Sequence, residues 1–540
     1  MPPVPPRTGV SQATRPGVQG SRQAVPPKAN FTAPKQESGA VGTQKAQEAP
    51  VPKASPTPAA QPAPAADKQA KAPVKMTSAQ KAELAQKEKL LAEPLPVPEP
   101  LPKITFPSYY LSLERTQPIR MHGRVSQVIG LTIESDGPAV KMNELCLIYE
   151  KEGSKPIRAE VVGFKGSKVM LMPLGEMGGI SPGCEVRATG KPLSVKVGPK
   201  LLGRVLDGLG NPIDGLGPLE YETEYSIYNE PPNPITRPRI NRPLPVGVRV
   251  IDSVLTLGAG QRVGIFAGSG VGKSTTLSMI ARNTSAQVNV LALIGERGRE
   301  LRDFIERDLG PEGMRRSVVV VATSDKSALV RLKGAYTATA IAEYFRDQGN
   351  DVMLMMDSVT RFAMAQREIG LAVGEPPATK GYTPSCFAVM PKLMERSGTS
   401  AHGSITGIYT VLVEGDDMNE PVADTVRGIL DGHIVLNRKI AHKNRYPAAD
   451  VLQSVSRLYT EINSKEIQKA AGVLRNVMAT YQENEDLINI GAYQKGSNPK
   501  VDFAIEKYDD VQKFLNQGIY DPAPFEETRK RLLEMFGEKK

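Results

Sequence analysis

One stretch constrains the fold of this chain more than any other. Arg262-Val-Gly-Ile-Phe-Ala-Gly-Ser-Gly-Val-Gly-Lys-Ser-Thr275 reads as an apolar strand that runs into a glycine-rich turn and leaves it as a helix. Gly268, Gly270 and Gly272 carry no Cβ to obstruct backbone N–H groups pointing inward, and the helix that follows turns the positive end of its dipole toward the turn. The result is a cradle for an anion with several negative charges. A strand and helix joined this way need a sheet and a covering layer, so the pattern calls for an α/β domain with a mainly parallel sheet.

The cradle residues Gly268, Ser269, Gly270, Val271, Gly272, Lys273, Ser274 and Thr275 match the phosphate-binding P-loop, with Ala267 where that pattern opens on glycine. Lys273 then reaches the β- and γ-phosphates of a nucleotide, and the Ser274 hydroxyl is placed to ligate Mg²⁺. A second strand, Asp351-Val-Met-Leu-Met-Met-Asp357, ends in a carboxylate at the same sheet edge and suits the metal of Mg-ATP. A third, Val288-Asn-Val-Leu-Ala-Leu-Ile294, runs into Gly295-Glu-Arg-Gly-Arg-Glu300. Glu296 there is placed to polarise an attacking water and Arg297 to contact phosphate, although a charged helix start is by itself more often a solvated face.

The rest of the chain divides by texture. Residues 1–100 hold 19 of the 46 prolines and 13 Lys+Arg against 7 Asp+Glu, so they carry more than half of the net charge of +10. Such a segment buries too little apolar surface to offset backbone ordering of about 1–2 kcal/mol per residue, and residues 1–104 are expected to be a disordered Pro/Ala/Lys-rich extension. Within it Met76 to Ala92 is free of proline and rich in helix formers. Residues 105–199 contain short β-rich runs punctuated by Gly, Pro or Asp, the pattern of a small barrel of five or six strands. Residues 200–451 alternate strands with amphipathic stretches and form the ATP-binding domain. Residues 452–540 are helical, with Ile467, Ala470, Ala471, Leu474, Val477, Met478 and Tyr481 on one face behind an Asn463 cap and Glu466 three residues on. No apolar run approaches the ~20 residues of a membrane span, the start carries no secretory signal, and Cys146, Cys184 and Cys386 fit neither a disulfide framework nor a metal spacing. A reducing cytoplasm is the expected setting.

Six blocks in order then carry a resemblance. Gly268-Ser-Gly-Val-Gly-Lys-Ser274, Ile294-Gly-Glu-Arg-Gly-Arg-Glu300, Asp357-Ser-Val-Thr-Arg-Phe-Ala-Met-Ala-Gln-Arg-Glu368, Gly374-Glu-Pro-Pro-Ala-Thr-Lys-Gly-Tyr382, Val413-Glu-Gly-Asp-Asp-Met-Asn-Glu420 and Ala423-Asp-Thr-Val-Arg-Gly-Ile-Leu-Asp-Gly-His-Ile-Val-Leu436 resemble the flagellar protein-export ATPases, relatives of the rotary ATP synthase catalytic subunits. The resemblance runs from about Tyr109 to Gly537. It implies a RecA-like ATPase domain, a catalytic Glu296, active-site Arg297 and Arg361, and a Mg²⁺-site Asp357. It also places Tyr446 against the adenine and makes Arg457 a finger that reaches a neighbouring subunit's nucleotide. Ala449 stands where relatives usually carry Ile or Val, implying a small packing loss near the adenine.

By the same resemblance the chain forms a homo-oligomer, a six-membered ring, and meets an export regulator, a stalk protein, export substrates with their chaperones, and a membrane-embedded export gate. It sits in the cytoplasm on the inner face of the membrane at the flagellar base. Tyr109 to Arg115 is the stretch nearest to the family's regulator-binding segment. Three other readings stand beside this one: the ATPase of a virulence-type injectisome, an ATP synthase catalytic subunit, and a ring-shaped RNA translocase. The last needs a platform of aromatics among basic residues, and the barrel offers only Tyr149 and Phe164. No nucleic-acid partner is expected.

Overall fold

The computed structural model describes residues 77–92, 122–151 and 153–537. Most of the extension expected to be disordered, and the stretch Tyr109 to Arg115, lie outside the described residues. The chain divides into two units, Met1–Ile104 and Thr105–Lys540. In the first, the proline-free patch is a helix, Ser78–Leu91, started by Thr77, whose N–H donates to the Gln80 side chain. Its described side chains are exposed.

The second unit opens on a closed antiparallel barrel. Its strands are β1 (His122–Ile129), β2 (Thr132–Asp136), β3 (Glu144–Tyr149), β4 (Ile157–Lys165), β5 (Lys168–Pro173) and β6 (Glu185–Pro192), in the order β1-β2-β5-β4-β3-β6. Six strands are what the turn spacing allowed. The chain continues through β7 (Ser194–Val197), β8 (Val205–Asp207) and β9 (Thr223–Ser226); β7 and β9 pair as a ribbon, whereas β8 joins the large sheet that follows.

That sheet is built on β10 (Arg262–Ala267), β11 (Val288–Ile294), β12 (Ser317–Ala322), β13 (Asp351–Asp357), β14 (Gly398–Thr399), β15 (Ser404–Leu412), β16 (Gly432–Leu436) and β17 (Ala449–Ser456). The path is β17-β16-β10-β15-β13-β11-β12-β8, parallel except where β17 meets β16, with β14 antiparallel to β15. Its inner strands are apolar throughout because both faces are covered. Along β11, Val288, Val290, Ala292 and Ile294 pack on one face and Leu291 and Leu293 on the other; β12 and β13 alternate in the same way. Each fully buried Val, Leu or Ile contributes about 1.5–3 kcal/mol. One face lies under the helices Ala328–Asp347, Val359–Val373 and Pro384–Met394, the other under Lys273–Asn283 and the C-terminal helices.

The helical region differs from expectation in two details. The boundary drawn after residue 451 falls inside β17, so the sheet runs to Ser456. The cap of the long helix Lys465–Asn489 is Ser464, whose side chain accepts from the Ile467 N–H, one residue after the expected Asn463. Asn463 is buried instead, with its amide donating to the Tyr459 carbonyl at 2.9 Å and its oxygen taking the Arg529 guanidinium. With Ser464 as cap the third helical residue is Ile467, so Glu466 does not close a capping box. The apolar face itself is as read: Ile467, Ala470, Ala471, Leu474, Val477 and Met478 are buried. All three cysteines are buried and free. Among the described residues no helix is long and apolar enough to cross a membrane.

Candidate active site

Parallel strands deliver their following loops to one edge of the sheet, and there Lys273, Glu296 and Asp357 meet. The loop after β10 enters the helix Lys273–Asn283 through Gly272 in the left-handed conformation, φ 97°, which a side chain would strain. Gly268 is needed for space: a Cβ there would lie 2.6 Å from Asp416 Oδ1 and 2.9 Å from an Arg438 nitrogen. Lys273, the first helical residue, points back across the edge. Its Nζ donates to Asp357 Oδ1 at 2.5 Å and to Glu296 Oε1 at 3.4 Å.

Each carboxylate is held by its strand. Asp357 closes β13 and is 4% exposed. The Thr410 hydroxyl on the neighbouring β15 donates to Asp357 Oδ1 at 2.7 Å. Glu296 stands two residues beyond β11, its carbonyl accepting from the Ser324 N–H at 3.1 Å. Ser274, Thr275, Glu296, Asp357, Phe304 and Arg307 line a cleft of about 220 Å³.

The charges in this cleft bias one another. Burial works against the Lys273 ammonium, but the carboxylates of Asp357 and Glu296 outweigh that cost and hold its pKa above the ordinary lysine value. For Glu296 burial raises the pKa above its ordinary value, the attraction of Lys273 takes back part of the rise, and the nearby Asp357 adds to it. A lysine facing two carboxylates is a cation awaiting phosphate oxygens, and a carboxylate of raised pKa is a better proton acceptor than a solvated one. The site also fits Mg²⁺, which takes one or two carboxylates and hydroxyls together with substrate phosphates: the Asp357 carboxylate and Ser274 share the cleft.

The remaining expected residues are distributed unevenly. Arg361 lies against Gly295, where a Cβ would sit 2.9 Å from Arg361 Cβ, and its charge acts on Glu296. Arg361 Nε is buried with no hydrogen-bond partner among the described residues. Arg297 is not in the cleft: its side chain is 81% exposed and pairs with Glu300 at 3.5 Å. Tyr446 stands over the loop, its ring 3.9 Å from the Cβ position of Gly272. Its backbone is clamped from the C-terminal helices, the N–H donating to Asn516 Oδ1 at 3.0 Å and the carbonyl accepting from the Gln517 N–H at 2.7 Å. Ala449 is buried in β17, and its carbonyl accepts from Arg445 Nη2 at 2.6 Å.

Arg457 lies at the opposite edge. Its N–H donates to the Asp431 carbonyl at 3.0 Å, and the Asp431 carboxylate accepts from the N–H of Arg262, the first residue of β10. Six residues of β10 at about 3.3 Å each separate that position from the loop, so the exposed Arg457 lies a strand's length from its own Lys273. Sequence reading did not find Thr410, Asp416, Arg438 or the Asn516–Gln517 clamp, because each enters through sheet register or a distant loop rather than a local pattern.

Comparison with known proteins matches the three regions of the second unit. Residues 125–190 match the beta-barrel domain of the ATP synthase alpha/beta family, residues 247–456 its nucleotide-binding domain, and residues 463–534 the T3SS EscN ATPase C-terminal domain. The chain is 58% identical over 426 residues to the flagellum-specific ATP synthase of Bacillus subtilis, covering 79% of this chain and 97% of that one. It is 51% identical to the type 3 secretion system ATPase of Xanthomonas euvesicatoria, covering 76% and 92%. Among solved structures, the assembled ATPase EscN of the enteropathogenic E. coli type III secretion system is 44% identical with a TM-score of 0.73, covering 77% of this chain and 100% of that one. EscN in complex with its central stalk EscO gives 43% and 0.71, with the same coverage.

Proposed function

Because the chain belongs to the family of flagellum-specific ATP synthases and type III secretion ATPases, we propose that its ATP hydrolysis drives protein export at the flagellar base, with catalytic sites completed between neighbouring subunits. The observation that carries the reading is the meeting of Lys273, Asp357 and Glu296 at one sheet edge beside the phosphate loop.

In the proposed reaction the N–H groups of residues 268–275 and the Lys273 ammonium hold the β- and γ-phosphates, and Tyr446 covers the adenine. Ser274 and Asp357 would hold Mg²⁺, which supplies charge neutralisation on the phosphate oxygens when bound. Glu296 accepts a hydrogen bond from the attacking water and orients it toward the γ-phosphorus. Arg361, against Gly295, offsets charge gathering beside Glu296. Arg297, paired with Glu300 and turned outward, keeps its proposed role as a phosphate contact by its place in the family motif. Arg457 faces the nucleotide of an adjacent copy, a placement supported by its distance from its own loop; such fingers contribute about 10³–10⁵ in rate. We propose a ring of six copies with a stalk partner; the assembled relative supports an oligomer, and its complex with a central stalk supports the stalk. Export substrates with their chaperones, the regulator and the export gate complete the proposed partners, and the cytoplasmic face of the membrane is the proposed site of action.

The test is a Glu296→Gln variant, which keeps volume but weakens water activation. It should bind Mg-ATP and turn it over at least a hundredfold more slowly. Failure to bind Mg-ATP would make Glu296 structural. An injectisome role is favoured by the match of residues 463–534 to the T3SS EscN ATPase C-terminal domain and by relatives such as the Xanthomonas ATPase, at 51% identity against 58% for the Bacillus flagellar one; neighbouring needle-complex genes would select it.

A further inference from the structure

Tyr446 stands over the phosphate loop with 42% of its surface exposed, so packing alone does not fix its ring. Its backbone is held from a distant part of the chain. The helix Pro499–Leu515 ends in Asn516, whose extended backbone (φ −79°, ψ 129°) lays Asn516 and Gln517 along residue 446. Asn516 Oδ1 accepts from the Tyr446 N–H at 3.0 Å, and the Gln517 N–H donates to the Tyr446 carbonyl at 2.7 Å. Both polar backbone groups of Tyr446 are therefore engaged by two consecutive residues.

Gln517 is in turn anchored to the nucleotide domain. It is 3% exposed; its Oε1 accepts from the Arg249 N–H at 2.7 Å, and its Nε2 donates to the carbonyls of Gly247 and Asp521, each at 3.0 Å. Gly247 is itself fixed. Its N–H and that of Val246 donate to the carboxylate of the buried Asp252, at 2.8 and 3.0 Å. Gly247 also packs against Asn283, the last residue of the helix that begins with Lys273, too closely for a Cβ. Arg249 Nη1 donates to the carbonyls of Phe514 and Asn516, both at 3.0 Å, and Arg282, in the last turn of the same helix, donates to the Ile519 carbonyl at 2.6 Å. Residues 514–519 are thus tied to the far end of the phosphate-loop helix as well as to Tyr446 near its start.

We propose that Asn516 and Gln517 are positioning residues for nucleotide affinity: they hold the backbone that carries the Tyr446 ring, so that the face presented to the base is set before ATP arrives. The proposal rests on the reading of Tyr446 as the cover of the adenine. A group already in its bound position loses less freedom on binding, so loosening the clamp weakens ATP binding. The phosphates are held by the loop and Lys273, and water is oriented by Glu296. Those functions do not pass through the clamp.

Two probes separate the base from the phosphates: the non-hydrolysable ATP analogue AMPPNP, which carries adenine, and inorganic tripolyphosphate, which does not. Binding of each with Mg²⁺ is measured by calorimetry on the full-length protein. Asn516→Ala should raise the Kd for AMPPNP about fivefold and leave that for tripolyphosphate within about twofold of the parent, with the KM for ATP rising in step and kcat within about twofold. Asn516→Asp keeps the accepting oxygen and should restore AMPPNP affinity. Gln517→Ala should act in the same direction; if that buried change prevents folding, the exposed Asn516 decides alone. Adding Asn516→Ala to Tyr446→Ala should weaken AMPPNP no further, because the ring being positioned is gone. Tyr446→Ala by itself tests the premise: unchanged AMPPNP affinity there removes the adenine reading and the proposal with it. A base-selective loss in Tyr446→Ala with none in Asn516→Ala overturns the clamp alone. Equal weakening of both probes, or an Asn516→Asp variant no better than Asn516→Ala, would also overturn it.

Discussion

Lys273 Nζ lies 2.5 Å from Asp357 Oδ1, so the ammonium meant for phosphate is paired with the carboxylate at the end of β13. Nucleotide binding must exchange one set of anionic oxygens for another, which keeps the buried lysine charged throughout.

Lys273→Ala therefore does two things. It removes the phosphate counter-charge, and it leaves Asp357 and Glu296 facing one another without a cation. Hydrolysis should fall below detection. The circular-dichroism spectrum should match the parent, because no core side chain is lost, while the melting temperature drops by several degrees, equivalent to about 1–3 kcal/mol. Retained turnover would remove the nucleotide site from this loop.

The pH profile follows from Glu296. Its pKa is raised chiefly by burial, and the active form is the charged one. As pH falls through that raised value the carboxylate protonates and stops orienting water, so kcat should decline at a higher pH than the ordinary glutamate value of 4.5 would give. A stopped assay of kcat against pH, with folding checked at each point, reads it. An acid limb at or below 4.5 would contradict the assignment.

Thr410→Val deletes one hydrogen bond to Asp357 and little volume. A loss of about 1 kcal/mol corresponds to roughly a fivefold fall in kcat/KM. Restoration by Thr410→Ser is expected, and a Val variant as active as the parent would show that Asp357 needs no second anchor.

Tyr446→Ala should raise the KM for ATP about tenfold, the worth of one aromatic contact, with kcat changed less. Tyr446→Phe should be near neutral, because the clamp from Asn516 and Gln517 holds the backbone and not the ring.

Much of this site was legible because its chemistry is local. β10, β11 and β13 each show an apolar run ending in a punctuating glycine or acid; the second and third end where expected, at Ile294 and Asp357, and β10 ends at Ala267, where the glycines begin. Thr410 was hidden because its role comes from the pairing of β13 with β15, across 53 residues of chain. β17 was cut at residue 451 because an edge strand, Ala-Asp-Val-Leu-Gln-Ser-Val-Ser, half polar and antiparallel, does not show the all-apolar signature of the inner strands. The choice between Asn463 and Ser464 as cap turned on burial: both residues can cap, and Arg529, from the last helix, takes the Asn463 side chain. Arg297 was drawn inward by motif position, whereas the structure gives it Glu300 as a partner at the rim.

The account depends most on Arg457 completing a site in another copy. Arg457→Ala spoils the finger a subunit donates, and Lys273→Ala the pocket it owns, so each variant alone should be nearly inactive. Mixed, some boundaries pair an intact pocket with an intact finger and should regain turnover. The most direct measurement is the specific Mg-ATPase activity of the wild-type chain across dilution, from assembled protein to monomer, with assembly followed in parallel by analytical ultracentrifugation. The account predicts activity that rises with the assembled fraction; activity that stays constant down to isolated monomer would contradict it.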